Sequence, residues 1–245
     1  MAIDMILRST ADAIRRQDWA TLAIEFFIVV VGIFVGLQVD DWNQARNDQA
    51  LEQEYLGRLQ ADTQWNIDTF RALESVFESK AAFINSLLES PATELLLTEP
   101  KEFLQGLNDS LYIALPAVRK ATFSELASSG RTSLLQDIEL RGDLSSFYSE
   151  YRLMQEILDE PVGDYKRLIY EVIPGNVQHR LQRYSGDTDL EAIREVLARL
   201  QADVRFEAAA NAEIHYASDL VFSLRANRSK AENILTMIGQ SGRNQ

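Results

Sequence analysis

Between Thr21 and Val39 the chain reads TLAIEFFIVVVGIFVGLQV, nineteen residues with one ionisable group, Glu25. A helix rises about 1.5 Å per residue, so this stretch nearly covers the roughly 30 Å hydrocarbon core of a bilayer. A buried core helix is the other home for such a run. The run has no polar face, however, and its length exceeds what a core helix needs, so the membrane is favoured. Trp19 and Trp42 stand just outside the two ends, where an indole ring rests well at headgroup level. The sequence therefore predicts one transmembrane helix over 21–39, preceded by a short N-terminus, 1–20.

A cleaved signal peptide also starts with basic residues ahead of an apolar run, as Arg15 and Arg16 do here. No small-x-small cleavage site follows, and the run passes straight into VDDWNQ, so the expectation is an uncleaved signal anchor. Arg8, Arg15 and Arg16 precede the span, and Arg46 is the first base after it. By the excess of Arg on the cytoplasmic side, the N-terminus faces the cytoplasm. Residues 40–245 then lie outside it, periplasmic if the host is Gram-negative, with the whole chain placed in the bacterial inner membrane.

The exported part carries 21 bases against 33 acids, a net charge of −12. That field opposes anionic lipid and rules out ordinary nucleic-acid binding, leaving the bilayer as the expected lipid partner and no nucleic acid. No Cys is present, which removes disulfides, thiolate nucleophiles and zinc-finger spacing. With 11 Gly and 5 Pro in 245 residues, turn-rich β architectures are disfavoured. The fold class expected is all-α, the span continuing into an exported helical bundle.

Residues 40–65 are mostly polar, with Leu51, Tyr55, Leu56 and Leu59 as a narrow apolar stripe, which predicts a membrane-proximal stalk. Residues 66–245 form the bundle. Phe70, Leu73, Phe77, Ala81, Ile84 and Leu88 step by three or four along one helix face. Pro91 and Pro100 bound a connection, and KEFLQGLNDSLYIAL predicts a second helix up to Pro116. Thr122 and Glu125 have capping-box spacing and Gly130 suits a left-handed stop, which predicts a compact helix between them. Leu140, Leu144, Phe147, Tyr151, Met154 and Leu158 make another stripe. A short helix follows in PVGDYKRLIYEVIPG, then a surface loop in YSGDTDL. One or two long helices occupy Asp189 to about Gly239. Antiparallel packing of the stalk helix and the C-terminal helix around the shorter ones is the expected layout.

Glu25, seven residues before Gly32, and then GIFVGLQVDDWN through Asn43 resemble a signature, E-x6-G-I-x3-L-Q-x3-W-N. It marks a family of bacterial proteins of unknown function with one N-terminal span and a helical exported region. TFSELASSGRTSLLQDIELRGDLSSFY, Thr122 to Tyr148, is similar to that family's second recurrent stretch, a Ser-Ser-Gly turn before a Leu-Arg helix ending in aromatics. Gly36 stands where the family more usually has Ala. The resemblance implies topology and fold, and carries no catalytic residue or substrate.

Candidate contact residues lie in and beside the span. Gly32 and Gly36 form G-x-x-x-G, which lets a partner helix approach closely. Glu25 is a costly carboxylate at that depth unless it is paired or snorkels to the interface. Gln38 can hydrogen-bond a neighbouring helix. Self-association, or a membrane-protein partner, through Glu25, Gly32, Gly36 and Gln38 is therefore expected, with Trp19 and Trp42 as anchors.

Catalytic signals are weak. His179 and His215 are the only imidazoles, and a di-iron bundle needs Glu three residues before each of two His, where Asn176 and Ala212 stand. Ser128-Ser129-Gly130 reads as a helix stop rather than a nucleophile turn. Asp187 and Asp189 lack the rest of a calcium loop. No catalytic, cofactor or metal residue is expected, and the chain reads as an accessory, sensor-like or assembly protein of the envelope that works by binding. The rival class is a hydrolase-like or metal-dependent enzyme using acids in an interhelical cleft. A deep cleft of desolvated carboxylates would favour that rival, and a closed bundle with an exposed apolar patch would favour binding.

Overall fold

A computed structural model of the chain describes residues 19–91, 94–95, 100–112, 117–158, 163–173 and 190–242, with backbone alone for 19–23, 154–158 and 190–192. All the regular structure among them is helical, in agreement with the all-α expectation. The helices are α1 (Trp19–Glu89), α2 (Pro100–Ser110), α3 (Ala121–Ser128), α4 (Ile138–Leu158), α5 (Asp164–Val172), α6 (Leu190–Ala202) and α7 (Phe206–Ser241). A 3-10 turn, Thr132–Leu134, precedes α4. Two compact units divide the chain, Met1–Glu54 and Tyr55–Gln245.

In the second unit α1 and α7 run antiparallel, as expected. Arg71, Glu74 and Glu78 of α1 meet Glu232, Arg228 and Arg225 of α7, so rising numbers on one helix face falling numbers on the other. Neither segment contains Pro, which would remove a backbone donor and break so long a ladder. Tyr55, Leu56 and Leu59, expected as the stripe of a stalk, are buried here, and the unit begins at Tyr55. The anticipated apolar face of α1 is also rotated. Phe70, Phe77 and Ile84 are fully buried, but Glu74, Lys80 and Leu87 replace Leu73, Ala81 and Leu88 as its most buried companions.

One core cluster joins the last turns of α1 (Ile84, Leu87) to α2, α5, α6 and the first turns of α7 (Phe206, Ala209, Ala210). α2 approaches α1 closely at Gly106, where a Cβ would lie 2.4 Å from the Phe83 ring. Gln201 of α6 donates to the carbonyls of Leu87 and Ser90 at 2.7 and 3.0 Å, satisfying acceptors that the end of α1 leaves open. Elsewhere, Phe70 packs its ring on Phe147 and Tyr151, with centroids 6.4 and 5.8 Å apart. Leu140 and Leu144, of the predicted α4 stripe, are wholly buried, while Met154 and Leu158 lie outside the described side chains.

α3 ends as its sequence suggests. Gly130 takes φ +69°, its amide bonds to the Ala127 carbonyl at 3.3 Å and the Arg131 amide to that of Leu126 at 2.9 Å, the paired bonds of a Schellman stop. Its start differs from expectation. Thr122 lies inside the helix, Lys120 occupies the cap position, and no side chain caps it. The capping-box spacing is overridden because Thr122 and Glu125 are both engaged by α1. α2 is also shorter than predicted, ending at Ser110. The YSGDTDL loop, His179, Asp187 and Asp189 lie outside the described residues.

Candidate functional site

In the first unit every described side chain from Ile24 to Val39 is exposed, Phe26 to 71% and Phe34 to 61%. Apolar residues fill this stretch almost without interruption, and Asp40 and Asp41 end it. Among the described residues no helix is long and apolar enough to cross a membrane. The first residues of the expected span, 21–23, are helical, but their side chains lie outside the description, as does that of Trp19.

Each helical residue turns about 100°, so Glu25, Gly32 and Gly36 fall within one face and Gln38 sits about 200° round from Gly36. The helix thus gathers three of the four predicted contact residues and separates the fourth. Both glycines are open: a Cβ added at either would meet no atom within 4 Å. Glu25, Gln38 and Trp42 are exposed.

The second unit holds a buried polar cluster. Lys80, wholly buried on α1, pairs its ammonium with Glu213 of α7, itself only 6% exposed. The same ammonium donates to the Tyr112 carbonyl at 2.8 Å and lies 5.8 Å from the Phe77 ring centre. Desolvation lowers the Lys80 pKa, against the opposing pull of the Glu213 carboxylate. The other Glu213 oxygen faces Gly163, where a Cβ would come within 2.8 Å. Nearby, Ser110 donates to the Leu107 carbonyl at 2.7 Å, so the 3.2 Å contact with Tyr165 has the phenol as donor. Burial pushes the Tyr165 pKa up.

Along the opposite stretch of α1, four side chains one or two turns apart hold α3 and the strand of chain before it. Tyr55 donates to Glu125 at 2.7 Å, and Arg58 forms an ion pair with the same carboxylate. Asp62 accepts from Thr122, and Asn66 exchanges two bonds with the Arg119 backbone at 3.0 and 2.7 Å. Arg119 in turn lies 4.5 Å over the Trp65 ring.

A half-open groove of roughly 620 Å³ separates α5 from the start of α7, with Leu168, Ala209 and Ala212 among its lining. Arg205 on its rim is held by Asp203, at 2.8 and 3.0 Å, and by Glu171 at 2.9 Å. The bonds from Arg205 draw the Asp203 carboxyl down to about 2. Among the described residues no group of His, Asp and Glu is placed to hold a metal ion. His215 is exposed on α7.

Lys80, Glu213 and the α1 residues that grip α3 were not anticipated. A charged residue in register with an apolar face is the available signal: Lys80 is three after Phe77 and four before Ile84, and Glu213 is four before Ala217. Ser128 and Ser129 do act at a helix stop, each donating to the Glu125 carbonyl, at 3.2 and 2.7 Å. Comparison with models of protein families, with curated proteins and with solved structures finds no match to this chain.

Proposed function

We propose that this chain is a single-span, membrane-anchored helical protein of a bacterial envelope that works by binding, as an accessory or sensor-like component. The observation that carries the reading is the exposure of every residue from Ile24 to Val39, a stretch whose only polar side chains are Glu25 and Gln38. Water-soluble monomers rarely leave a contiguous apolar surface of that extent uncovered. In sequence the run extends back through Thr21, Leu22 and Ala23, which brings it to the length of a bilayer core. The resemblance at Glu25 and Gly32 to Asn43 supports the same topology.

Binding is preferred to catalysis because, among the described residues, the buried Lys80 and Glu213 are engaged with each other. The same Lys80 ammonium also donates to the Tyr112 carbonyl, and at the surface Arg205 pairs with Asp203 and Glu171. On this reading Glu25, Gly32 and Gly36 offer one face of the span to a second helix, and the bilayer covers the rest. The Arg excess before the span gives an inside N-terminus and a periplasmic bundle.

Topology is tested with reporters fused after Gln245. A periplasm-active reporter should give signal and a cytosol-active one should not; the opposite pattern, or release of the chain from membranes by alkaline carbonate, would overturn the reading. Affinity capture from detergent-solubilised native membranes, with partners identified by mass spectrometry, tests the binding role.

A further inference from the structure

The Lys80–Glu213 pair lies on a seam in the bundle. One turn beyond Lys80 on α1, Ile84 is the first buried member of the core cluster shared with α2, α5 and α6; one turn before Glu213 on α7, Ala210 is the last, with Phe83 and Ile214 packed half-buried against its edge. On the other side of the pair the core is built from different residues, with Phe70, Phe147 and Tyr151 in ring contact and Leu144 and Leu224 wholly buried. That side has its own fastenings between α1 and α7. Arg228 donates to Glu74 at 2.7 Å, and Arg225 reaches both Glu74 and Glu78.

Three elements converge on the pair from the Ile84 side. Glu213 brings the start of α7, the Tyr112 carbonyl brings the end of α2, and Gly163, immediately before α5, seats the second carboxylate oxygen. Tyr165 and Lys166 are the neighbouring titratable groups from α5. A buried ion pair gives little net stability over an apolar pair of the same shape, yet removing one member strands the other in a dry site. The Tyr112 and Phe77 rings, with centroids 6.0 Å apart, add an apolar contact across the same seam.

We propose that Lys80 and Glu213 form a latch, which lets α2, α5, α6 and the first turns of α7 open from the last turns of α1 as one unit while the Phe70–Phe147–Tyr151 half stays closed. The latch is a conformational device of the bundle and is independent of the membrane reading. A Cβ at Gly163 would come within 2.8 Å of the Glu213 carboxylate, so a side chain there shifts that carboxylate without altering either charge.

The test is amide hydrogen exchange, read by peptide-level mass spectrometry on the whole 245-residue chain in detergent. K80M should accelerate exchange by on the order of a hundredfold in 84–87, 100–110, 164–173 and 193–213. Exchange in 55–72, 138–151 and 224–241 should be unchanged. The double variant K80M/E213L should restore protection, since it removes both charges and refills the site with apolar atoms. G163A should reproduce the regional pattern at a smaller amplitude, and it serves if K80M does not fold. Uniform acceleration across the bundle, no acceleration, or a double variant as unprotected as K80M would each overturn the latch.

Discussion

Asp62 accepts two hydrogen bonds from Thr122, one from the hydroxyl at 2.7 Å and one from the amide at 3.3 Å. Thr122 therefore docks α3 onto α1 and does not cap it, while Glu125, its supposed capping partner, receives Tyr55 and Arg58. Hydrogen bonds of this kind contribute about 1 kcal/mol net. In a double-mutant cycle, D62A and T122V should couple by about 1 kcal/mol in urea unfolding, and T122V and E125A should be close to additive. Strong coupling between Thr122 and Glu125 would restore the capping box.

Helix existence and type were legible wherever apolar spacing was regular, as at Leu140, Leu144, Phe147 and Tyr151. Gly130 was legible too, because a positive φ selects Gly on local grounds alone. Thr122 was misread because a local motif and a distant carboxylate compete for the same hydroxyl, and only the fold brings Asp62 to it. Lys80 and Glu213 were invisible for a related reason. A lone charge on an apolar face is costly by itself, and the partner that offsets the cost stands far away in sequence on another helix. Glu25, Gly32 and Gly36 share a face by helical arithmetic, so their grouping needed no tertiary information.

Leu144 and Leu224 have no exposed surface, so L144D or L224D places an unpaired carboxylate in the core. Each should cost about 4 kcal/mol or more, enough to unfold a marginal domain. L153D changes the same residue type on the same helix as Leu144, at a site 55% exposed, and should shift stability by no more than about 0.5 kcal/mol. Thermal unfolding followed by circular dichroism distinguishes them, and equal losses in all three would show the core to be misassigned.

Asp137 stands just ahead of α4, accepting from the Leu140 amide at 3.0 Å and from the Ser241 hydroxyl at 2.9 Å. The Leu140 bond is the larger cause of its lowered pKa. A carboxyl held below its unfolded value stabilises the fold at pH above that value, about 3.9, and the contribution disappears as pH falls through the lower folded value. D137N keeps an acceptor for the Leu140 amide but cannot titrate, so its stability should fall less steeply as pH drops below about 4. D137A, which loses the cap altogether, should cost about 1 kcal/mol at pH 7. Parallel acid-unfolding curves for wild type and D137N would refute the assignment.

Val31 and Val76 are similarly exposed on α1, at 40% and 36%, but only Val31 lies within the Ile24–Val39 run. If that run occupies a bilayer, Arg at 31 falls near the middle of the hydrocarbon, where insertion costs about 2.5–3.5 kcal/mol against a slightly favourable Val. V31R should then move a large share of the chain out of the carbonate-resistant membrane fraction, or leave it untargeted and degraded. V76R adds the same charge to a surface that the reading places in water, and should leave the membrane fraction unchanged. A general effect of added positive charge would move both variants together. Retention of V31R at the wild-type level would mean that this helix is not the anchor, since no other described segment offers comparable apolar exposure.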